Sequence, residues 1–138
     1  MGRVLAVDFG LRRVGLAVSD PLKLIAGPLA VLPPQEVLRF LTDYMKREPV
    51  DVLVVGEPLN WRGQPNAWHG RLRVFVQQVQ QLFPHLRIER QDERYTSAQA
   101  QRILRSSGLS QKQRQQKERT DQISAVLILQ QYLEKQPK

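Results

Sequence analysis

The apolar run PVDVLVVG, residues 49–56, most restricts how this chain folds. A strand with one face in water alternates apolar and polar residues, but this run is apolar at almost every position. Such a run is typical of a strand that is covered on both faces. We therefore expect an α/β protein in which helices pack on both sides of a sheet.

The remaining periodicities predict five strands and four helices in one domain, residues 1–138. Three strands with tight connections come first and suggest an antiparallel meander, the third being shorter and broken by Pro28. Strands then alternate with helices, which implies parallel pairing through right-handed crossovers. The fold class is therefore α/β with a mixed five-stranded sheet. The predicted ranges are strands 3–9, 14–20, one within 21–33, 49–56 and 85–91, and helices 34–48, 69–83, 96–108 and 120–135.

The charge balance favours a polyanionic partner. Lys and Arg number 21 against 13 Asp and Glu, a net charge of +8, which favours nucleic acid. A basic surface that serves only solubility is the alternative.

The absence of cysteine excludes disulfides and thiolate metal sites. No run approaches the roughly 20 apolar residues of a membrane span, and no signal-peptide pattern precedes the first strand, so we expect a cytoplasmic chain without a membrane partner.

Asp8 is unexpected where it stands, because it continues the phase of the apolar residues Val4 and Ala6 in the first strand. Burying an unpaired carboxylate is costly, so the strand must either compensate this charge or hold it for a purpose. The alternative is an aspartate that caps the following turn at Gly10.

Two further acidic positions follow core elements. Asp121, near the start of the last helix, is at helical spacing from Ala125 and Ile128, so it belongs to the face that packs on the sheet. An acid that caps this helix or complements its dipole is the alternative. Asp92 and Glu93 follow the last strand, and the pattern does not decide which of them points inward.

Acids at the ends of a core strand, an edge strand and a sheet-packing helix suggest one cleft. Carboxylate oxygens are the ligands that Mg²⁺ or Mn²⁺ prefers. Two such ions about 4 Å apart activate a water molecule and stabilise the leaving oxygen in phosphodiester cleavage. Basic residues around the cleft would hold phosphates.

Four segments resemble the YqgF-type, or RuvX-like, family in order and spacing, and together they span nearly the whole chain: VDFGLRRVGLAVSD, VLVVGEPLN, DERYTSAQA and KERTDQISAVLILQQYL. Members of this family are named as pre-16S ribosomal RNA nucleases or Holliday junction resolvases. The resemblance implies an RNase H-like fold. It also implies a metal-dependent nuclease that acts in 5′-end maturation of pre-16S ribosomal RNA.

The resemblance also indicates site residues. Asp8, Glu93 and Asp121 match the family's acids and are expected to be catalytic, as joint ligands of Mg²⁺ or Mn²⁺. The expected nucleic-acid contacts are Arg94, Thr96, Lys112, Arg114 and Lys117, the last three on a basic segment, 109–119, expected to be mobile.

One position departs from the family. Before "PLN" the family usually carries an apolar residue, and this chain carries Glu57. Glu57 is either a fourth metal ligand or a surface acid shielded by Arg62. Trp61 and Trp68 either stack on unpaired bases or close their loop onto the core.

Three other functions stay open. Cleavage of branched DNA would require a dimer. Nothing in the sequence demonstrates a dimer surface, so the chain is expected to be a monomer or a weak homodimer. The segment from Asp8 to Gly15 also resembles the phosphate-binding hairpin of actin-like kinases, which enclose a nucleotide between two such lobes, whereas this chain supplies one. A non-catalytic RNA-binding or transcription factor would keep its function when Asp8 becomes Asn.

Overall fold

A computed structural model describes residues 2–10, 12–57, 69–92 and 117–135. The predicted helix 96–108 and most of the basic segment lie outside the described residues. The described elements, in chain order, are β1 (Arg3–Phe9), β2 (Val14–Ser19), β3 (Ala26–Leu32), a 3₁₀ turn (Pro34–Glu36), α1 (Val37–Arg47), β4 (Val50–Glu57), α2 (His69–Leu82), β5 (Arg87–Asp92) and α3 (Lys117–Lys135).

The strands form one mixed sheet in the order β3-β2-β1-β4-β5. β2 pairs antiparallel with β1 and β3, whereas β4 pairs parallel with β1 and β5. The predicted meander and parallel half are therefore confirmed, with β1 in the middle. We call the edge where β1, β4 and β5 end the carboxyl edge (Phe9, Glu57, Asp92), and the opposite edge the amino edge (Arg3, Val50, Arg87).

Apolar side chains cover both faces of the central strands. On one face, Leu5 and Val7 of β1 and Leu53 of β4 pack with residues of α1 and α2. On the other face, Val4 and Ala6 pack under α3. Each fully buried Leu or Val contributes about 1.5–3 kcal/mol, so this two-sided burial is the main source of stability. It confirms the prediction made from the apolar run 49–56.

The third strand is neither short nor broken, so that prediction was wrong. β3 has seven residues and runs through Pro28. The register shifts at this point, since Ala17 pairs with Pro28 and Leu16 pairs with Ala30, which leaves Leu29 as the extra residue of a bulge. A proline cannot donate a ladder hydrogen bond, and a bulge on an edge strand is where a sheet tolerates that loss.

The last helix begins earlier than predicted. α3 starts at Lys117 instead of Thr120, so Lys117 belongs to a helix and its assignment to a mobile segment was wrong. Asp121 then lies in the second turn, beyond the position of an N-cap and beyond the first turn, where the dipole acts most strongly. The capping alternative for Asp121 is thus excluded. None of the described helices has the length and apolar character needed to cross a bilayer.

The β2–β3 connection is organised by Asp20. Its Oδ1 accepts hydrogen bonds from the backbone N–H groups of Leu24 (2.7 Å) and Ile25 (2.8 Å), and its Oδ2 accepts one from Leu22 (3.2 Å). These bonds, that from Ile25 above all, lower the pKa of Asp20 below its ordinary value of 3.8.

Replacing Asp20 by Asn is expected to destabilise the fold in a pH-dependent way. Because the folded-state pKa of Asp20 is lowered, its ionised form stabilises the fold above about pH 3.8, and this contribution disappears as the pH falls through the lowered pKa. Urea unfolding across this range should show the variant less stable than the parent at pH 7, with a gap that narrows in acid. The exposed Asp43, changed to Asn, is the matched control. A gap that does not vary with pH would contradict this account.

Candidate active site

Strand register brings three acidic positions to the carboxyl edge. Val7 of β1 pairs with Val55 of β4, and Glu57 of β4 pairs with Asp92 of β5. Asp8 is the penultimate residue of β1, while Glu57 and Asp92 end their strands. The backbones of all three residues therefore lie at the same edge of the sheet.

Asp8 lies within β1, opposite Gly15 of β2. It alternates onto the same face as Val4 and Ala6, which are buried under α3, but Asp8 itself is only half-buried. The buried face of β1 thus ends in a carboxylate at the point where the sheet reaches solvent. This position leaves the carboxylate partly accessible to ligands while its backbone is fixed on both sides by the sheet.

Helix α3 runs antiparallel to β1. Its residues Tyr132 and Leu133 line a cavity of about 660 Å³ with Val4 and Val52, which lie near the amino edge. From residue 132 back to residue 121 the helix extends about 16 Å, and from Val4 to Asp8 the strand extends about 13 Å. The start of α3 therefore lies toward the carboxyl edge, on the face of the sheet that carries Asp8.

One stripe of α3 packs on the sheet, and position 121 is at helical spacing from it. Ala125, Ile128, Leu129 and Tyr132 are buried against the Val4 face, as their spacing predicted. Asp121 continues this stripe by one turn toward the start of the helix.

The phase of β5 follows from its contacts with α3. The buried Gln91 donates to Oε1 of Gln131 (3.3 Å) and accepts from Nζ of Lys135 (3.3 Å), both on α3. Position 91 therefore faces α3, and Asp92 is out of phase with it.

Two arginines that the sequence did not single out as site residues lie beside Asp8. The β1–β2 hairpin closes when Gly10 N–H donates to the carbonyl of Arg13 (3.0 Å). A Cβ at Gly10 would lie 2.6 Å from that oxygen, so the turn requires glycine. The hairpin presents an exposed Arg12 and a half-buried Arg13 at the carboxyl edge. The sequence did carry a signal for these site residues, namely two consecutive arginines a few positions after an acid.

Acids at the amino edge have another role. Asp51 accepts a hydrogen bond from Nζ of Lys23 (2.7 Å) and one from the N–H of Gly2 (3.0 Å). The bond from Lys23 is the main reason that the pKa of Asp51 is lowered. Asp51 thus joins the first residues of β1 to the β2–β3 connection.

Several predicted site residues lie outside the described residues: Glu93, Arg94, Thr96, Lys112 and Arg114. Lys117 and Asp121 are described by their place in α3 and not by their side chains. Among the described residues, no three His, Asp or Glu side chains form a group that could hold a metal ion. The predicted ligand set therefore stays a prediction.

The chain matches known proteins over nearly its whole length. A family model described as "RuvX: Holliday junction resolvase" matches residues 2–135. A protein of Porphyromonas gingivalis named "Putative pre-16S rRNA nuclease" is 43% identical over 134 residues, which are 97% of each chain. A protein of Flavobacterium johnsoniae with the same name is 41% identical over 133 residues, 96% of each chain.

Solved structures show the same fold at low sequence identity. T. thermophilus RuvC in complex with a Holliday junction substrate has a TM-score of 0.56 and 17% identity, covering 96% of this chain and 94% of that chain. The Fowlpox virus resolvase, in complex with Holliday junction DNA, has a TM-score of 0.54 and 13% identity, covering 96% and 97%. These likenesses confirm the RNase H-like fold. The family match and the curated relatives establish that this chain belongs to the RuvX family.

Proposed function

We propose that this chain is a divalent-metal-dependent nuclease, a single domain over residues 1–138, which hydrolyses phosphodiester bonds in structured RNA during 5′-end maturation of pre-16S ribosomal RNA. The nuclease activity follows from its family, and the RNA substrate from the name of its relatives. The observation that carries the proposal is Asp8, a half-buried carboxylate that ends an otherwise apolar strand face at the carboxyl edge.

The proposed metal ligands are Asp8, Glu93 and Asp121. Position 121 continues the stripe of α3 that packs on the face carrying Asp8. Gln91 contacts α3 on that same face, so the next position, 92, is out of phase with it. The resemblance to the family favours Glu93. Asp8 and position 121 are thus assigned to one side of the sheet, and Glu93 follows the end of β5 in the sequence.

This donor set suits Mg²⁺ or Mn²⁺. Carboxylate oxygens are hard ligands, and the residues offer no sulfur, since the chain has no cysteine. A divalent cation bound there would lower the pKa of a water molecule and offset negative charge on the scissile phosphate.

The remaining roles fall to basic and polar groups of the chain. Arg12 and Arg13, on the hairpin beside Asp8, are placed to hold phosphate oxygens. The net charge of +8 attracts the polyanion as a whole. Five further phosphate contacts, proposed from the resemblance to the family, are Arg94, Thr96, Lys112, Arg114 and Lys117.

Replacing Asp8 by Asn should abolish most cleavage. Even an outer partner of a bound metal contributes about 10–100-fold, so losing a direct ligand should lower the rate by about a hundredfold or more. The assay is cleavage of precursor 16S RNA with Mg²⁺ and with a chelator. The exposed Asp43 of α1, changed to Asn, removes an equal charge and should cleave as the parent does.

Two results would contradict this assignment. Equal cleavage by the Asp8→Asn variant and the parent would show that the carboxylate is not a ligand. RNA binding without cleavage by the parent chain in Mg²⁺ and in Mn²⁺ would favour the non-catalytic RNA-binding factor instead. A thermal melt of each variant distinguishes lost chemistry from lost folding.

The phase of β4 argues against Glu57 as a fourth ligand. Val52 and Val54 pack in the cluster under α3, whereas Leu53 and Val55 pack with α1 and α2. Glu57 is in phase with the second pair, and thus out of phase with the face that carries Asp8.

Replacing Glu57 by Leu is therefore expected to leave metal-dependent cleavage nearly unchanged. The rate is best compared at several Mg²⁺ concentrations, because a lost ligand would first raise the metal requirement. A rate that falls as far as in the Asp8→Asn variant would return Glu57 to the ligand set.

Replacing Arg12 by Gln should weaken RNA binding mainly at low salt. Each lost phosphate contact reduces the slope of log K against log salt by about 0.7–0.9. Lys46, exposed in the last turn of α1 near the amino edge, provides the control when changed to Gln, since it removes an equal charge far from Asp8. Equal slopes for the two variants would show a general charge effect.

A second candidate substrate is a four-way DNA junction, which the description of the family favours. A resolvase cuts two opposed strands, so this function needs two copies of the site. Cleavage of a junction and of precursor RNA at equal ionic strength, with the mass of the protein–substrate complex measured in parallel, separates the two substrates.

A further inference from the structure

A second cavity opens at the carboxyl edge, on the face of the sheet opposite Asp8. Its volume is about 270 Å³, and it lies between the start of α1 and the exposed side of α2. The residues that line it include Phe9, Leu38, Arg71, Val74, Phe75 and Gln78.

The floor of this cavity is aromatic and its rim is polar. The rings of Phe9 and Phe75 lie 5.1 Å apart, centroid to centroid, and both residues are more than nine-tenths buried. Val74 is 53% exposed at the mouth, and Arg71 and Gln78 are exposed on the same side of α2. Pockets for drug-sized ligands measure about 300–1,000 Å³, so this cavity suits one small planar group.

The cations of α2 favour a polyanion at the cavity. Arg71 lines it and Arg73 is exposed on the same helix, which carries no Asp or Glu. A planar group attached to an anionic chain, such as a base of nucleic acid, is therefore attracted to the cavity. An acidic protein would be attracted by the same cations, but beyond Val74 it would find no apolar stripe to pack against.

The cavity lies across the end of β1 from the candidate active site. Phe9 directly follows Asp8 in β1, and consecutive Cα atoms are about 3.8 Å apart. A strand of nucleic acid that crosses the carboxyl edge with a phosphate at Asp8 thus has a neighbouring base within reach of Phe9 and α2.

We propose that this cavity receives one unpaired nucleobase of the nucleic-acid strand bound at Asp8. The base lies against Val74 and the guanidinium plane of Arg71, the kind of stacking by which proteins hold splayed-out bases. The amide of Gln78 is a donor and acceptor for the edge of the base. This inference rests on the proposed function, and it makes single-stranded nucleotides beside the cleaved bond part of what the site recognises.

The test compares two RNA probes by fluorescence anisotropy, in chelator and at fixed salt. Both are the same labelled hairpin with a short single-stranded tail, which carries adenosines in one probe and abasic riboses in the other. The parent chain should bind the adenosine tail about fivefold more tightly, the lower end of what a stacked base contributes.

Variants at three exposed positions of α2 distinguish binding in the cavity from attraction by charge alone. The Arg71→Ala and Val74→Ser variants should lose the preference for the adenosine tail. The Arg73→Ala variant removes the same charge as Arg71→Ala at a position that does not line the cavity, so it should weaken both probes equally and keep the preference.

Each other outcome overturns the proposal. No preference in the parent chain means that no base is bound, and a preference kept by Arg71→Ala and Val74→Ser means that bases bind elsewhere. If the Arg73→Ala variant also loses the preference, the preference arises from charge and not from the cavity. Because binding is measured in chelator, a preference that depends on Arg71 and Val74 stands even if the chain fails to cleave RNA in Mg²⁺, so failure of the nuclease function is recognised separately.

Discussion

The two-sided burial of β1 is the constraint on which the rest of the structure depends. The strand is paired on both edges, with β2 and β4, and covered on both faces, by α3 and by the α1–α2 layer. Its backbone therefore cannot shift without breaking hydrogen bonds and apolar contacts at once. A side chain at its end, such as Asp8, inherits this rigidity, which is what a metal ligand requires.

The same strand divides the carboxyl edge into two different surfaces. On the α3 face, alternation leads from buried valine and alanine to the carboxylate of Asp8. On the other face, the next residue, Phe9, leads into an aromatic floor beneath α2. In the two proposals, a single strand end would serve both the phosphate backbone and a base, through neighbouring residues separated by one peptide unit.

Sequence pattern predicted what depends on local periodicity. The run 49–56 and the stripe from Ala125 to Tyr132 were predicted correctly, because burial on both faces makes a strand apolar throughout and burial on one side gives a helix a period of 3.6. The prediction that Pro28 breaks the third strand was wrong. A strand tolerates proline at a bulge and at the edge of a sheet, and both conditions depend on how β3 pairs with β2. The phase of β5 could not be predicted, because it depends on the contact of Gln91 with α3, which links residues 40 apart in sequence.

Proline and a bulge in β3 also have a consequence for how two copies of this chain could meet. β3 forms one outer border of the sheet, and a border strand with regular backbone invites strand addition from another molecule. Pro28 removes one amide donor, and the extra residue Leu29 breaks the repeat that an incoming strand would have to match. Strand addition by another molecule is therefore disfavoured at this border.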